Sequence, residues 1–348
     1  MDGLMPALVK HQAGEGAFIQ LVEIPEDLAP DEVLVEVKAT SICGTDVHIY
    51  TWDDWAKSRV KPPYTFGHEF GGVVVQVGSQ VKHVKVGDHV SAETHIVCGH
   101  CVACRRGDAH VCLNTKIIGV DREGCFTKYV KLPADNIWIN SKELPFEIAS
   151  IMEPMGNAVH TVLSGEVAGR SVAVVGCGPI GLMAVAVAKA SGASRVIALD
   201  VNDYRLDLAE TMGATDLIRS HRVDVLKEIH SFTKGDGVDV VLEMSGHPVA
   251  MDQAFKMVTP GGRISVLSLP TSPVTIDITN DIVFKGITVK GITGRRMYDT
   301  WQQVAGLLES GQVDLKPLIT HRITLEDYEE GFELMKAGKC GKVVFQLD

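Results

Sequence analysis

A chain of 348 residues is long enough for two domains with separate hydrophobic cores, and its 45% hydrophobic and 22% charged residues are ordinary for a globular protein. A net charge of −11, with no basic run longer than Arg105–Arg106 or Arg295–Arg296, argues against a nucleic-acid partner. The longest apolar runs, such as Leu182–Ala188, are too short to span a bilayer; eight cysteines without a basic-then-apolar leader point to thiols and metal in the cytoplasm, not to disulfides.

Up to about residue 140 the chain reads as an antiparallel β domain without a long helix. Val33–Ala39 alternates apolar and polar residues after the turn-forming Pro30–Asp31, as a half-buried strand does. Cys43 follows that strand, with Thr45 and His48 close behind. Locally, Cys43 fits a small buried hydrophobe or a thiolate ligand. Thr45 and His48 fit a turn hydroxyl and a solvated loop residue, or a pair of proton carriers. Trp52-Asp53-Asp54-Trp55 predicts an acidic, aromatic loop, either packed or closing over a substrate.

Gly67-His68-Glu69 then leads into a β-branched strand ending at Gly78. Neutral imidazole and carboxylate are both zinc-type ligands, and the glycine lets the backbone pass close to a neighbour. Cys98, Cys101, Cys104 and Cys112 are the strongest local signal. Four thiolates at this spacing close a tetrahedral shell with no open position, which makes a structural zinc; an iron–sulfur cluster is the competing reading. His100 and His110 are read as surface residues, and Cys125 and Cys340 as core thiols.

Residues 151–160 predict a loop entering a helix, with Glu153 before Pro154 as a helix N-terminal charge or a carboxylate near a metal. A second architecture follows. The strand Ser171–Val175, the turn Gly176-Cys177-Gly178-Pro179-Ile180-Gly181, a helix to Ala190 and the strand Arg195–Asp200 give a dinucleotide fingerprint its proper context. Gly176 permits the tight turn, Gly178 admits the pyrophosphate, and Gly181 allows close helix–strand packing. Asp200 stands where the adenosine ribose lies and favours NAD over NADP; Arg205 would welcome a phosphate or stack beside the adenine. Alternating helices and about six strands complete a doubly wound parallel sheet. Ser245–Gly246, Leu267-Ser268-Leu269 and Ile292–Thr293 end its later strands, where they line a cofactor crevice or pack as ordinary loops. Helices over 299–309 and 325–335 and a strand at 342–346 follow the complete sheet and are expected to return to the first domain.

Together, Gly67-His68-Glu69-x2-Gly72-x5-Gly78, the four clustered cysteines and Gly176–Gly181 with Asp200 resemble the medium-chain zinc-dependent dehydrogenase family over nearly the whole chain. That resemblance implies an α/β protein: a GroES-like, β-rich catalytic domain at 1–155 and 297–348 with a structural-zinc lobe near 95–115, and a Rossmann domain at 156–296. It implies a catalytic zinc on Cys43, His68 and Glu69, with Glu153 exchanging between metal contact and proton relay. It implies a structural zinc on Cys98, Cys101, Cys104 and Cys112, and a relay through Thr45 and His48. NAD would lie on Gly176, Gly178, Ile180, Gly181, Asp200, Arg205, Leu267–Leu269, Ile292 and Thr293.

The segments 48–55, 153–160, 200–205 and 290–295 are similar to the branch that oxidises the 3-hydroxyl of L-threonine. This implies L-threonine as the small-molecule substrate, 2-amino-3-oxobutanoate as product, a homotetramer, and Arg295 near the substrate carboxylate or the cofactor. Polyol dehydrogenases also carry a Glu-Pro here and stay as an alternative. A non-catalytic NAD-sensing protein of the same fold is a third reading, although such a protein would be expected to lose Cys43, His68 or Thr45.

Overall fold

The alternation at 33–39 becomes the middle of a ten-residue strand, Glu32–Ser41, in a seven-stranded sheet. The computed structural model describes residues 3–270 and 272–347. The strand Glu32–Ser41 pairs antiparallel with Glu69–Val77, with Tyr129–Pro133 and with the C-terminal strand Lys342–Gln346. Leu4–Lys10, Phe18–Glu23 and Tyr64–Thr65 form a separate three-stranded sheet. Between the strands lie Val33, Val35, Val37, Phe66, Phe70, Phe126, Phe332 and Phe345, all buried. Each such side chain contributes roughly 1.5–3 kcal/mol by leaving water.

Two short helices, Gly44–Thr51 and Asp54–Arg59, stand where the sequence suggested loops. Asp53 explains the second: its Oδ1 accepts the Ala56 amide at 3.0 Å and so caps the helix. The first carries Thr45 and His48 one turn apart, on one face.

A six-stranded parallel sheet forms in the other half. Its spatial order is Asp216–Arg219, Arg195–Asp200, Ser171–Val175, Val238–Glu243, Val258–Val266 and Thr288–Gly291. This is the doubly wound order, which reverses direction between Ser171–Val175 and Val238–Glu243 and opens a crevice at the strands' carboxyl ends. Strand Val258–Val266 ends before Leu267, so Leu267-Ser268-Leu269 lies beyond the strand and not inside it. Arg263 in that strand is buried and donates to the Thr161 and Val162 carbonyls at 3.3 and 3.1 Å and to Ser164 Oγ at 2.6 Å. A cation thus closes the carboxyl end of helix Met152–Leu163, where the helix dipole is negative. Burial draws its pKa down to about 10.

The chain separates into two compact units, residues 1–154 with 319–348 and residues 155–318. The return to the first unit therefore comes at Ile319 and not at 297: helix Asp299–Glu309, with Trp301 and Val304 buried, stays with the second. The predicted helix over 325–335 is a 3-10 turn, Leu325–Asp327, leading into helix Tyr328–Ala337.

Candidate active site

Cys43 ends the turn after strand Glu32–Ser41, and His68 and Glu69 enter its antiparallel neighbour, where Ser41 stands opposite Glu69. Sheet pairing therefore brings together residues that are far apart in sequence. A sulfur, an imidazole nitrogen and a carboxylate oxygen of Cys43, His68 and Glu69 lie within 4.8 Å of one another. Gly67 is required just before them: its φ is +89°, and a Cβ there would lie 2.4 Å from the Phe126 ring.

The donors fit a divalent cation. Glu69 is fully buried, its Oε2 bonded to Ser41 Oγ and Lys342 Nζ, while Oε1 has no hydrogen-bond partner among the described residues. A buried, unsatisfied carboxylate oxygen is costly unless a cation completes it. His68 is buried with Nδ1 3.5 Å from Asp46 Oδ1. Burial alone would lower its pKa, but the Asp46 and Cys43 charges outweigh burial and raise it well above the ordinary value. The surroundings favour positive charge at this place, which a divalent cation supplies.

Glu153 sits in the first turn of helix Met152–Leu163, buried, and its Oε1 accepts Thr94 Oγ1 at 2.8 Å. It is not part of the three-donor cluster. Thr45 is half-buried and His48 exposed. His48 Nδ1 lies 2.5 Å from Asp53 Oδ2, which assigns the proton to Nδ1 and leaves Nε2 as the acceptor. Burial would raise Asp53, but the Ala56 amide and His48 outweigh it and hold the carboxyl below its usual value.

In the cysteine lobe, sulfur–sulfur distances are 3.5 Å for Cys101–Cys104, 3.8 Å for Cys101–Cys112 and 3.5 Å for Cys112–Cys98. A tetrahedral shell with Zn–S near 2.3 Å has edges of about 3.8 Å, so the cage is formed. Amides of Cys98 and Asn114 point at Cys112 Sγ from 3.4 and 3.3 Å, and the Cys101 amide at Cys98 Sγ from 3.4 Å. Such donors stabilise thiolates; the Asn114 side chain and neighbouring amides draw the Cys98 thiol down to about 5. His100 and His110 are outside the cage; His100 Nδ1 contacts the Cys98 carbonyl at 2.7 Å. Cys98→Ser should release one zinc per chain and make the segment near 98–117 the first site of proteolytic cleavage, with NADH binding retained. Unchanged zinc content would count against a structural site here.

In the second unit the three fingerprint glycines separate by role. Gly176 has φ +95°, and a Cβ there would meet the Ser245 backbone at 2.8 Å. A Cβ on Gly181 would lie 2.0 Å from the Gly176 carbonyl. Gly178 opens helix Pro179–Ala190, and a Cβ there would meet no atom of the described residues within 4 Å, which suits an approaching pyrophosphate. Asp200 accepts the Cys177 amide at 2.7 Å and the Asn202 amide at 2.8 Å, so the fingerprint turn fixes its carboxylate. Arg205 follows in helix Asp203–Thr211, its Nε without a hydrogen-bond partner among the described residues. Ile180 lies in the first turn of the fingerprint helix. Ile292 is buried with its amide on the Val266 carbonyl at 2.9 Å, and Thr293 is exposed beside it. Arg295 is 2% exposed, its stem packed on Gly156 and its guanidinium 3.2 Å from Asn157 Oδ1, an anchoring arrangement inside the second unit.

Asp46, Thr94, Lys342 and Glu243 are missing from the sequence reading. Asp46 alone left a signal, three residues after Cys43 at the start of a short helix, where its Oδ2 accepts the Cys43 amide at 2.9 Å.

Metal donors on a β-rich unit and a dinucleotide turn on a parallel sheet define a zinc-dependent dehydrogenase. The alcohol dehydrogenase GroES-like domain matches residues 29–142, and the zinc-binding dehydrogenase domain matches residues 179–310. The chain belongs to the zinc-dependent alcohol dehydrogenase family and is an NAD-dependent oxidoreductase. An L-threonine 3-dehydrogenase of Bacillus licheniformis is 64% identical over 344 residues, covering 99% of either chain. One of Caldanaerobacter subterraneus is 60% identical over 345 residues, again covering 99% of each. Among solved structures, 2R,3R-butanediol dehydrogenase from Bacillus subtilis superposes with a TM-score of 0.88 at 33% identity, over 99% of this chain and 100% of that one.

Proposed function

We propose that this chain oxidises the 3-hydroxyl of L-threonine with NAD, giving L-2-amino-3-oxobutanoate and NADH. The observation that carries the reading is the 64% identity, end to end, to an L-threonine 3-dehydrogenase, against 33% for the butanediol enzyme. Cys43, His68 and Glu69 would hold the catalytic zinc, and Cys98, Cys101, Cys104 and Cys112 the structural one. When bound, zinc supplies a Lewis acid for the substrate hydroxyl, as it lowers the pKa of bound water to about 7, and NAD supplies the hydride acceptor. Thr45 Oγ1 takes the hydroxyl proton and passes it to His48 Nε2, the ring nitrogen not facing Asp53; His48 is exposed and releases it to solvent. Glu153 offers a carboxylate to the substrate ammonium and takes part in the relay. Gly178, Ile180, Asp200, Arg205, Leu267–Leu269, Ile292 and Thr293 position the cofactor, and Asp200 disfavours the extra phosphate of NADP.

No helix among the described residues is long and apolar enough to cross a membrane. A cytoplasmic homotetramer completes the proposal. Its self-association is supported by the edge strand Thr288–Gly291, exposed at every residue, with Leu269, Val283 and Phe284 at 82%, 63% and 76% exposure in the same unit.

The deciding experiment follows NADH formation on L-threonine, 2R,3R-butanediol and sorbitol, with and without a chelator. The highest kcat/KM on L-threonine, lost on chelation and restored by zinc, is the expected result. Preference for a polyol would replace the substrate and keep the family.

A further inference from the structure

We propose that Glu243 is a positioning residue for the cofactor, clamping the two loops that frame the crevice at the reversal of strand order. Glu243 ends strand Val238–Glu243 and is 0% exposed. Its Oε1 accepts the Ser245 amide at 3.0 Å, the Ser245 hydroxyl at 2.5 Å and the Gly246 amide at 3.2 Å. Its Oε2 accepts the Ser268 hydroxyl, from the loop after the neighbouring strand. The main chain repeats the link: the Glu243 carbonyl receives the Leu267 amide at 3.0 Å and the Ser268 amide at 3.4 Å. One residue therefore ties down both loops.

The surrounding contacts show how tightly those loops are set. Gly246 has φ +65°, and a Cβ there would lie 2.6 Å from the Leu269 carbonyl, so the two loops touch backbone to backbone. Ser245 packs against Gly176, the first glycine of the fingerprint turn, leaving no room for a Cβ. Ser245 Oγ also receives the His247 amide at 3.1 Å, which starts helix Pro248–Met257. A shift of Ser245 would therefore move the fingerprint turn, the loop with Leu267-Ser268-Leu269 and the start of that helix together.

The chemistry suits a carboxylate. Four donors converge on the group, and an ionised carboxylate is acceptor-only, with lone pairs on both oxygens. Glutamine would keep the link, since its oxygen can accept the three donors of residues 245–246 while its NH2 donates to the Ser268 hydroxyl, which turns to accept; leucine removes every acceptor, leaves two amides and two hydroxyls without this partner, and releases both loops. Glu243 does not touch reacting atoms in this account; it acts through Ser245, Gly246 and Ser268.

The inference rests on the reading of this crevice as the NAD site, so the test is a fluorescence titration of the zinc-loaded enzyme with NADH. Glu243→Leu should raise Kd for NADH about tenfold or more, with zinc content unchanged and the alcohol KM at saturating NAD within about twofold of wild type. A folded Glu243→Leu enzyme that binds NADH as wild type does would overturn the proposal. If that variant does not fold, Ser245→Ala decides: it removes one donor while the carboxylate keeps its other partners, and Kd should rise several-fold if the clamp sets the site. An unchanged Kd in Ser245→Ala would then overturn it. Wild-type enzyme that fails to bind NADH would overturn the NAD reading itself, a result distinct from either variant outcome.

Discussion

Cys43→Ala is expected to lower kcat/KM by at least about 1,000-fold, because losing a Lewis acid costs several kcal/mol at the transition state and each 1.4 kcal/mol is a factor of ten. The three donors of the catalytic cluster are one thiol, one imidazole and one carboxylate. Removing the sulfur leaves two, one of them a carboxylate already engaged through Oε2 with Ser41 and Lys342. Metal analysis should then find one zinc per chain instead of two, the survivor held by the four-cysteine lobe. NADH binding should persist, since the fingerprint turn belongs to the other compact unit. Full turnover with a single zinc per chain would remove Cys43 from the catalytic site.

Lys342→Met is expected to destabilise the protein by about 3–5 kcal/mol, because it strands the Glu69 charge in the core. Lys342 is 1% exposed and Glu69 is fully buried, and the ammonium also donates to the Ile42 carbonyl at 2.9 Å. Burial opposes a charged Lys342, but Glu69 and the other nearby anions prevail and hold its pKa above the ordinary lysine value. Chemical denaturation should show the loss, and the double variant Lys342→Met with Glu69→Gln should recover most of it by removing the stranded charge. A single variant as stable as wild type would mean that Glu69 needs no cationic partner. Zinc affinity gives a second readout: Lys342 and Ser41 occupy Oε2 and leave Oε1 to the metal, so the single variant should also change chelator competition.

The local motifs were legible because their chemistry is set by short spacings. Four cysteines within fifteen residues can close only on themselves, and the glycines of 176–181 obey steric rules that any Cβ would break. Strand–turn–helix periodicity likewise gave Ser171–Val175 and Arg195–Asp200 their observed bounds. The helices at 44–51 and 54–59 leave no such signal, because a short segment has too few residues to show a helical period.

By itself, then, the sequence determined the metal-donor residue types, the nucleotide turn and the two architectures, since each depends on neighbours within one or two elements. Tertiary structure decided which distant groups complete those sites. Lys342 reaches Glu69 across 273 residues because the C-terminal strand pairs beside Glu32–Ser41. Ser268 reaches Glu243 across 25 because parallel strands place consecutive loops at one end of a sheet. The same holds for helix Asp299–Glu309, which stays with the second unit until Ile319. A buried charge and its partner are chosen by register and packing, and neither is written in the residues on either side of them.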